Sequence, residues 1–136
     1  MITSHARKSL GKGLLAFLVA AFFMIAVASF AAETYTTKPF SGVAVKAGTA
    51  TLTKDGAKRS IKLSADFKVP DAPDPHWQLV DSRGTTYLLD RLSLQDKKVK
   101  TEIMVPAYVP DVAKVQIWCS YAEALLGEAA FASPVK

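Results

Sequence analysis

The stretch VQIWCSYAEALLGEAAF, residues Val115 to Phe131, is the strongest guide to the fold class. In its first half, Val115, Ile117, Cys119 and Tyr121 fall on one face of an extended chain, and Gln116, Trp118 and Ser120 fall on the other. β-Branched and aromatic residues dominate this half, which predicts a strand near the C-terminus. The pattern therefore places the only cysteine, Cys119, on the apolar face and Trp118 on the opposite face.

The second half of this stretch is ambiguous between helix and strand. Residues Tyr121 to Gly127 have the composition of a two-turn helix that ends at a glycine. Sheet context overrides local propensity, so we expect a final strand here.

The upstream sequence supports an antiparallel sheet. Asp55-Gly56 separates two alternating runs, ATLTK and AKRSIKLSADF, and such a dipeptide is typical of a two-residue hairpin turn in which both residues have positive φ. Similar short runs and turns recur along the chain, and no helical heptad persists. The sequence predicts an all-β, small antiparallel β-sandwich or barrel-like domain. Its expected core contains Ile61, Leu63, Phe67, Ile103, Val115 and Ile117.

The N-terminus predicts a signal helix. Arg7, Lys8 and Lys12 precede the uncharged apolar run Leu14 to Phe30, and Ser29-Phe30-Ala31 has small residues where a signal peptidase reads them. We expect cleavage after Ala31, with an uncleaved membrane anchor as the alternative, because the run is slightly short of the ~20 residues that span a bilayer. In either case the domain is exported, to the periplasm or the extracellular space.

The predicted signal segment determines the expected domain boundaries and the net charge of the remaining chain. Residues 1–31 are the signal peptide or anchor, 32–39 a polar linker, and 40–132 the β domain. The formal charge of +5 includes three cations of the signal segment, so about +2 remains. No basic stripe or interleaved aromatic row is present, which argues against nucleic-acid binding. Membrane contact is expected only through the N-terminal segment, if it stays uncleaved.

Several short motifs resemble the DM-thirteen family, often labelled "electron transfer". They are Ile117-Trp118-Cys119, then Gly127 to Phe131, and upstream Gly48-Thr49-Ala50, Leu63 to Phe67 and the proline-rich run before His76 to Leu79. The resemblance covers roughly residues 40–131. It implies an exported accessory module in envelope redox or electron-transfer chemistry, with Cys119 as the redox candidate.

Cys119 has a second interpretation. A single cysteine cannot form an internal disulfide, and free cysteine is among the most buried residue types. A buried thiol that packs with Val115 and Ile117 would be inert. Exposure of Cys119 separates the two interpretations, because redox chemistry needs a reachable thiol.

The alternative function is a non-catalytic ligand- or protein-binding module of the envelope, with an envelope protein or a small ligand as partner. The binding candidates are Trp118, His76 and Trp77. Large aromatics often anchor interfaces. The acidic residues near His76 match no metal-ligand spacing, so no metal is predicted, and no cofactor is indicated. Hydrolase, phosphate-loop and metalloprotease motifs are absent from the sequence, so we do not expect an enzyme.

Overall fold

The protein is described by a computed structural model that covers residues 26, 31–93 and 98–136. The strands are β1 (Glu33–Thr36), β2 (Ala50–Asp55), β3 (Lys58–Leu63), β4 (Pro75–Val80), β5 (Thr86–Arg91), β6 (Glu102–Met104), β7 (Val112–Cys119) and β8 (Ala124–Val135). They form two antiparallel four-stranded sheets with the orders β1-β2-β3-β6 and β5-β4-β7-β8. The described part of the chain contains no helix, so the predicted all-β class is confirmed.

The expected signal helix lies in residues 1–31, almost all of which are outside the described residues. Within the residues that are described, no helix has the length and apolar character needed to cross a bilayer.

One core joins the two sheets. Leu52 and Ile61 of the first sheet and Trp77 and Ile117 of the second belong to the same buried cluster. Of the expected core residues, Ile61, Leu63, Ile103, Val115 and Ile117 are buried, as predicted. This shared core makes the domain a β-sandwich.

Phe67 is the one expected core residue that is only partly buried. Strand β3 ends at Leu63, and the chain then turns, with the Phe67 N–H donating to the Ser64 carbonyl at 3.1 Å. The strand alternation therefore stops before Phe67. Its ring packs edge-on against Phe40 with 5.4 Å between centroids.

The β2–β3 turn is shifted by one residue from the prediction. Asp55 pairs with Lys58, so Gly56 and Ala57 are the turn residues. Among the described non-glycine residues only Glu123 has a positive φ, and Gly56 has φ 60°. A glycine with positive φ at the first central position is the requirement of a type II′ turn, whereas the predicted type I′ turn needs two such residues.

The segment expected to be a linker contains strand β1. Glu33 to Thr36 pair with β2, and the Thr37 hydroxyl accepts the Ala50 N–H at 3.0 Å. All four β1 residues are exposed, so this edge strand has no apolar alternation from which it could be predicted. One residue further, the Lys38 N–H donates to the Ala130 carbonyl at 2.9 Å, which ties the same segment to the second sheet.

The ambiguous stretch after Cys119 is a turn followed by a strand. Residues 120–123 form the turn, Glu123 has φ 51°, and β8 begins at Ala124. The expectation that Tyr121 continues the apolar face of β7 is wrong, because the strand ends at Cys119 and Tyr121, in the turn, is exposed. The expectation of a strand rather than a helix is confirmed from Ala124 onward. Gly127 lies where the 41–45 segment runs beside β8, and a Cβ at Gly127 would be 2.6 Å from the Val45 Cβ. The glycine thus permits close backbone packing rather than ending a helix.

Candidate functional site

Pairing of β4 with β7 brings three candidate residues of the sequence together. His76 lies opposite Trp118, and Pro75 lies opposite Cys119. Paired residues of an antiparallel sheet share a face, and neighbours along a strand alternate faces. Trp77 and Cys119 therefore face the core, whereas His76 and Trp118 face outward.

Cys119 is enclosed, with 1% of its surface exposed. The pKa of its thiol lies below the ordinary value, first because the Ala122 N–H donates to Sγ at 3.5 Å. Burial opposes this shift, while the backbone N–H groups of Asp74 and Tyr121 reinforce it and the Asp74 charge opposes it. The backbone N–H groups thus lower the pKa of the thiol, while the enclosure keeps the sulfur away from solvent.

Cys119 and His76 do not form a nucleophilic pair. They lie on opposite faces of the second sheet, and both imidazole nitrogens already have partners. His76 Nδ1 is 2.9 Å from the Leu89 carbonyl, and Nε2 is 3.1 Å from Asp74 Oδ1. The imidazole is therefore not positioned to take a proton from the thiol.

The position of His76 follows from a β-bulge. Between the pairs His76–Arg91 and Gln78–Leu88, the β4–β5 register shifts, so two residues of β5 face one of β4. The imidazole contacts the Leu89 carbonyl within this irregular region. Both ring partners are oxygen acceptors, so the ring can donate to both only when it carries two N–H groups.

Arg91 of β5 contacts the same carboxylate as His76, that of Asp74. Its Nε is 2.8 Å from Asp74 Oδ1, the oxygen that His76 also contacts. Among the described residues, the terminal nitrogens of Arg91 form no hydrogen bond or ion pair with any residue other than Asp74. Through register pairs, Arg91, His76, Trp118 and Leu125 form a line across all four strands, called here the outer row.

A second line of polar side chains runs beside the outer row. Gln78 Nε2 donates to Gln116 Oε1 at 2.7 Å, and Gln116 Nε2 donates to Glu128 Oε2 at 2.9 Å. Lys114 Nζ lies 3.5 Å from Glu128 Oε1. We call Gln78, Gln116 and Glu128 the amide ladder. Although Gln78 is on the outward face, only 8% of its surface is exposed, so its amide is held in place by its neighbours.

Trp77, the third binding candidate, belongs to the core instead of a surface. Its side chain is fully buried, and Nε1 donates to the Lys100 carbonyl at 2.9 Å. The indole thus connects the core of the second sheet to the segment that leads into β6. In this structure it offers no surface to a ligand.

Sequence reasoning missed Arg91, Gln78, Gln116 and Glu128. Polar residues at outward positions of β4, β7 and β8 were visible in the alternation, but their alignment depends on the register of strands far apart in sequence. Within residues 31–93 and 98–136, no three His, Cys, Asp or Glu side chains are grouped closely enough to hold a metal ion.

A separate cleft of about 390 Å³ lies between the edge strands β5 and β6. Leu88, Met104 and Tyr108 line it and are exposed large apolar residues. It is distinct from the outer row, which runs across the face of the second sheet.

Comparison with known proteins identified no relatives of this chain. A scan against family models gave no match, and searches of curated proteins and of solved structures gave none either.

Proposed function

We propose that this chain is an exported, non-catalytic binding module of the cell envelope that recognises a ligand on the outer face of its second sheet. One observation carries the proposal: strand register places Arg91, His76, Trp118 and Leu125 side by side in the outer row. Two of these four were binding candidates from the sequence. The signal-like N-terminus supports the exported location.

The outer row has the chemical variety that recognition requires. It offers a partly exposed indole, an apolar side chain and a guanidinium whose terminal nitrogens remain available. Aromatic and arginine side chains dominate the energetics of many binding surfaces. The hydrogen bonds of His76 and the ion pair of Arg91 restrict the imidazole and the guanidinium before a ligand arrives, which lowers the entropic cost of ordering these two groups.

Replacing Trp118 with alanine is expected to weaken retention of envelope material about tenfold or more, because a central aromatic anchor is lost. The measurement uses the immobilised full chain and solubilised envelope fractions, with the bound material quantified. Tyr121→Ala is the matched control, because Tyr121 is an aromatic residue that is 80% exposed but lies on the turn outside the outer row. Equal retention by the wild type and Trp118→Ala would contradict the proposal.

A second candidate function is redox chemistry through Cys119, which the resemblance to the DM-thirteen family suggests. The lowered thiol pKa supports it, because the thiolate is the reactive form. The enclosure of the sulfur favours the packing role instead. For a redox role, the turn at residues 120–123 would have to open, since its Ala122 N–H covers Sγ.

We expect Cys119 to resist alkylation by iodoacetamide in the native protein and to react after denaturation. Cys119→Ala should then change stability more than any redox activity, because a small core group is lost. The measurement is thiol labelling followed by mass spectrometry. Rapid labelling of the native protein at neutral pH, with loss of redox function in a folded Cys119→Ser variant, would make the redox account the better one.

A further inference from the structure

We propose that the outer row and the amide ladder together bind a neutral oligosaccharide. The inference rests on the proposed binding function and names its ligand class. It draws on the aromatic surface, the hydrogen-bonding capacity and the charge balance of this one sheet face.

The aromatic surface is provided by Trp118. Its side chain is partly exposed and lies between His76 and Leu125 in the outer row. An indole presents a flat apolar face with a negative quadrupole, which suits the C–H groups on one side of a sugar ring. The neighbouring Leu125 extends the apolar surface along the row.

The hydrogen-bonding capacity is provided by the amide ladder. Each glutamine amide uses one N–H within the ladder, and each amide has two. Among the described residues, the second N–H of each amide and Gln78 Oε1 form no hydrogen bond. Sugar hydroxyls both donate and accept, so they can use this mixture of donors and acceptors. Because Gln78 is more than nine-tenths buried, its free oxygen is fixed in position.

The charge balance favours a neutral ligand over an acidic one. Arg91 pairs with Asp74 at 2.8 Å, and Lys114 pairs with Glu128 at 3.5 Å. The cations that flank the two rows are thus matched by carboxylates of the same face. A ligand with a net charge would meet no excess of the opposite sign, whereas hydroxyl groups can bond to both members of each pair.

The position of the two rows argues against an extended peptide. The rows are centred on β4 and β7, the interior strands of the sheet. Both of these strands are paired with a neighbouring strand along each edge. Peptides that bind to sheets usually add a strand at a free edge and use main-chain hydrogen bonds. At this face only side chains are available, which matches a ligand recognised through its hydroxyl groups and ring faces.

The test is calorimetric titration of the full chain with cellohexaose, maltohexaose and chitohexaose as neutral probes, and with an oligogalacturonate as the acidic probe. We expect saturable binding of at least one neutral hexasaccharide. Affinity should fall about tenfold or more in Trp118→Ala, and in Gln116→Leu by a similar factor, since an anchor or a hydrogen-bonding group is lost. Tyr121→Ala should bind as the wild type does, and thermal unfolding checks that each variant is folded.

The outcomes separate this inference from the proposed function. If no neutral hexasaccharide binds, or if oligogalacturonate binds as tightly, the ligand class is wrong. If at the same time immobilised Trp118→Ala retains less envelope material than the wild type, the binding function stands with another ligand. If Trp118→Ala retains that material and neither Trp118→Ala nor Gln116→Leu weakens saccharide binding, the outer row is not the site and both proposals fail.

Discussion

Replacing Trp77 with alanine is expected to lower the free energy of unfolding by about 3–5 kcal/mol, the usual range for removing a large aromatic side chain from a core. Trp77 is fully buried in the cluster that joins the two sheets. Its Nε1 also donates to the Lys100 carbonyl, so truncation leaves a cavity and removes the indole partner of that part-buried carbonyl. Urea unfolding followed by far-UV circular dichroism measures the change.

Trp118→Ala is the matched control for this substitution. The two tryptophans are on adjacent strands of one sheet, but Trp118 faces outward and is only partly buried. We therefore expect a clearly smaller loss of stability for Trp118→Ala. Trp77→Phe keeps most of the packing and removes the hydrogen bond, so it should lie between the wild type and Trp77→Ala even if the alanine variant does not fold. Equal effects of the two tryptophan-to-alanine changes would mean that the two faces of the sheet are assigned incorrectly.

Replacing Ile117 with alanine is expected to cost about 2–5 kcal/mol, the range for truncating a large aliphatic core residue. Ile117 has no exposed surface and lies at the centre of the second sheet, opposite Trp77 on one side and Gly127 on the other. Glycine has no side chain that could move into the space, so the cavity would persist. Chemical unfolding gives the change in the free energy of unfolding. An unchanged dependence of that free energy on denaturant concentration would show that the unfolded state is not affected.

Leu88→Ala is the control for Ile117→Ala. Leu88 is also a large aliphatic residue on a strand of the second sheet, but it is 51% exposed. Surface substitutions usually change the free energy of unfolding by no more than ~0.5 kcal/mol, so the loss for Ile117→Ala should be several-fold larger than the loss for Leu88→Ala. A loss below ~1 kcal/mol for Ile117→Ala would place that residue outside the tightly packed core.

The local sequence determined the class of the fold and the faces of its main strands. Alternation from Val115 to Tyr121 predicted which residues face inward; burial of Val115, Ile117 and Cys119 confirms that prediction, whereas Tyr121 lies beyond the end of β7 and is exposed. The glycine at Gly56 marked the β2–β3 hairpin to within one residue. These features were readable because the side-chain period of a strand and the φ preference of glycine act over a few neighbouring residues.

Only the tertiary structure decided which strands are neighbours and in what register. The outer row joins Arg91 and His76 to Trp118 and Leu125, and the protection of Cys119 depends on the turn that follows it. Strand β1, exposed on both faces, is held by pairing with β2 rather than by a pattern of its own. Pairing between distant strands depends on how apolar faces from the whole chain fill one core, and a one-residue shift of register would move every side chain to the other face. The sequence could therefore predict the candidate residues Trp118 and His76, whereas the fold alone placed them side by side.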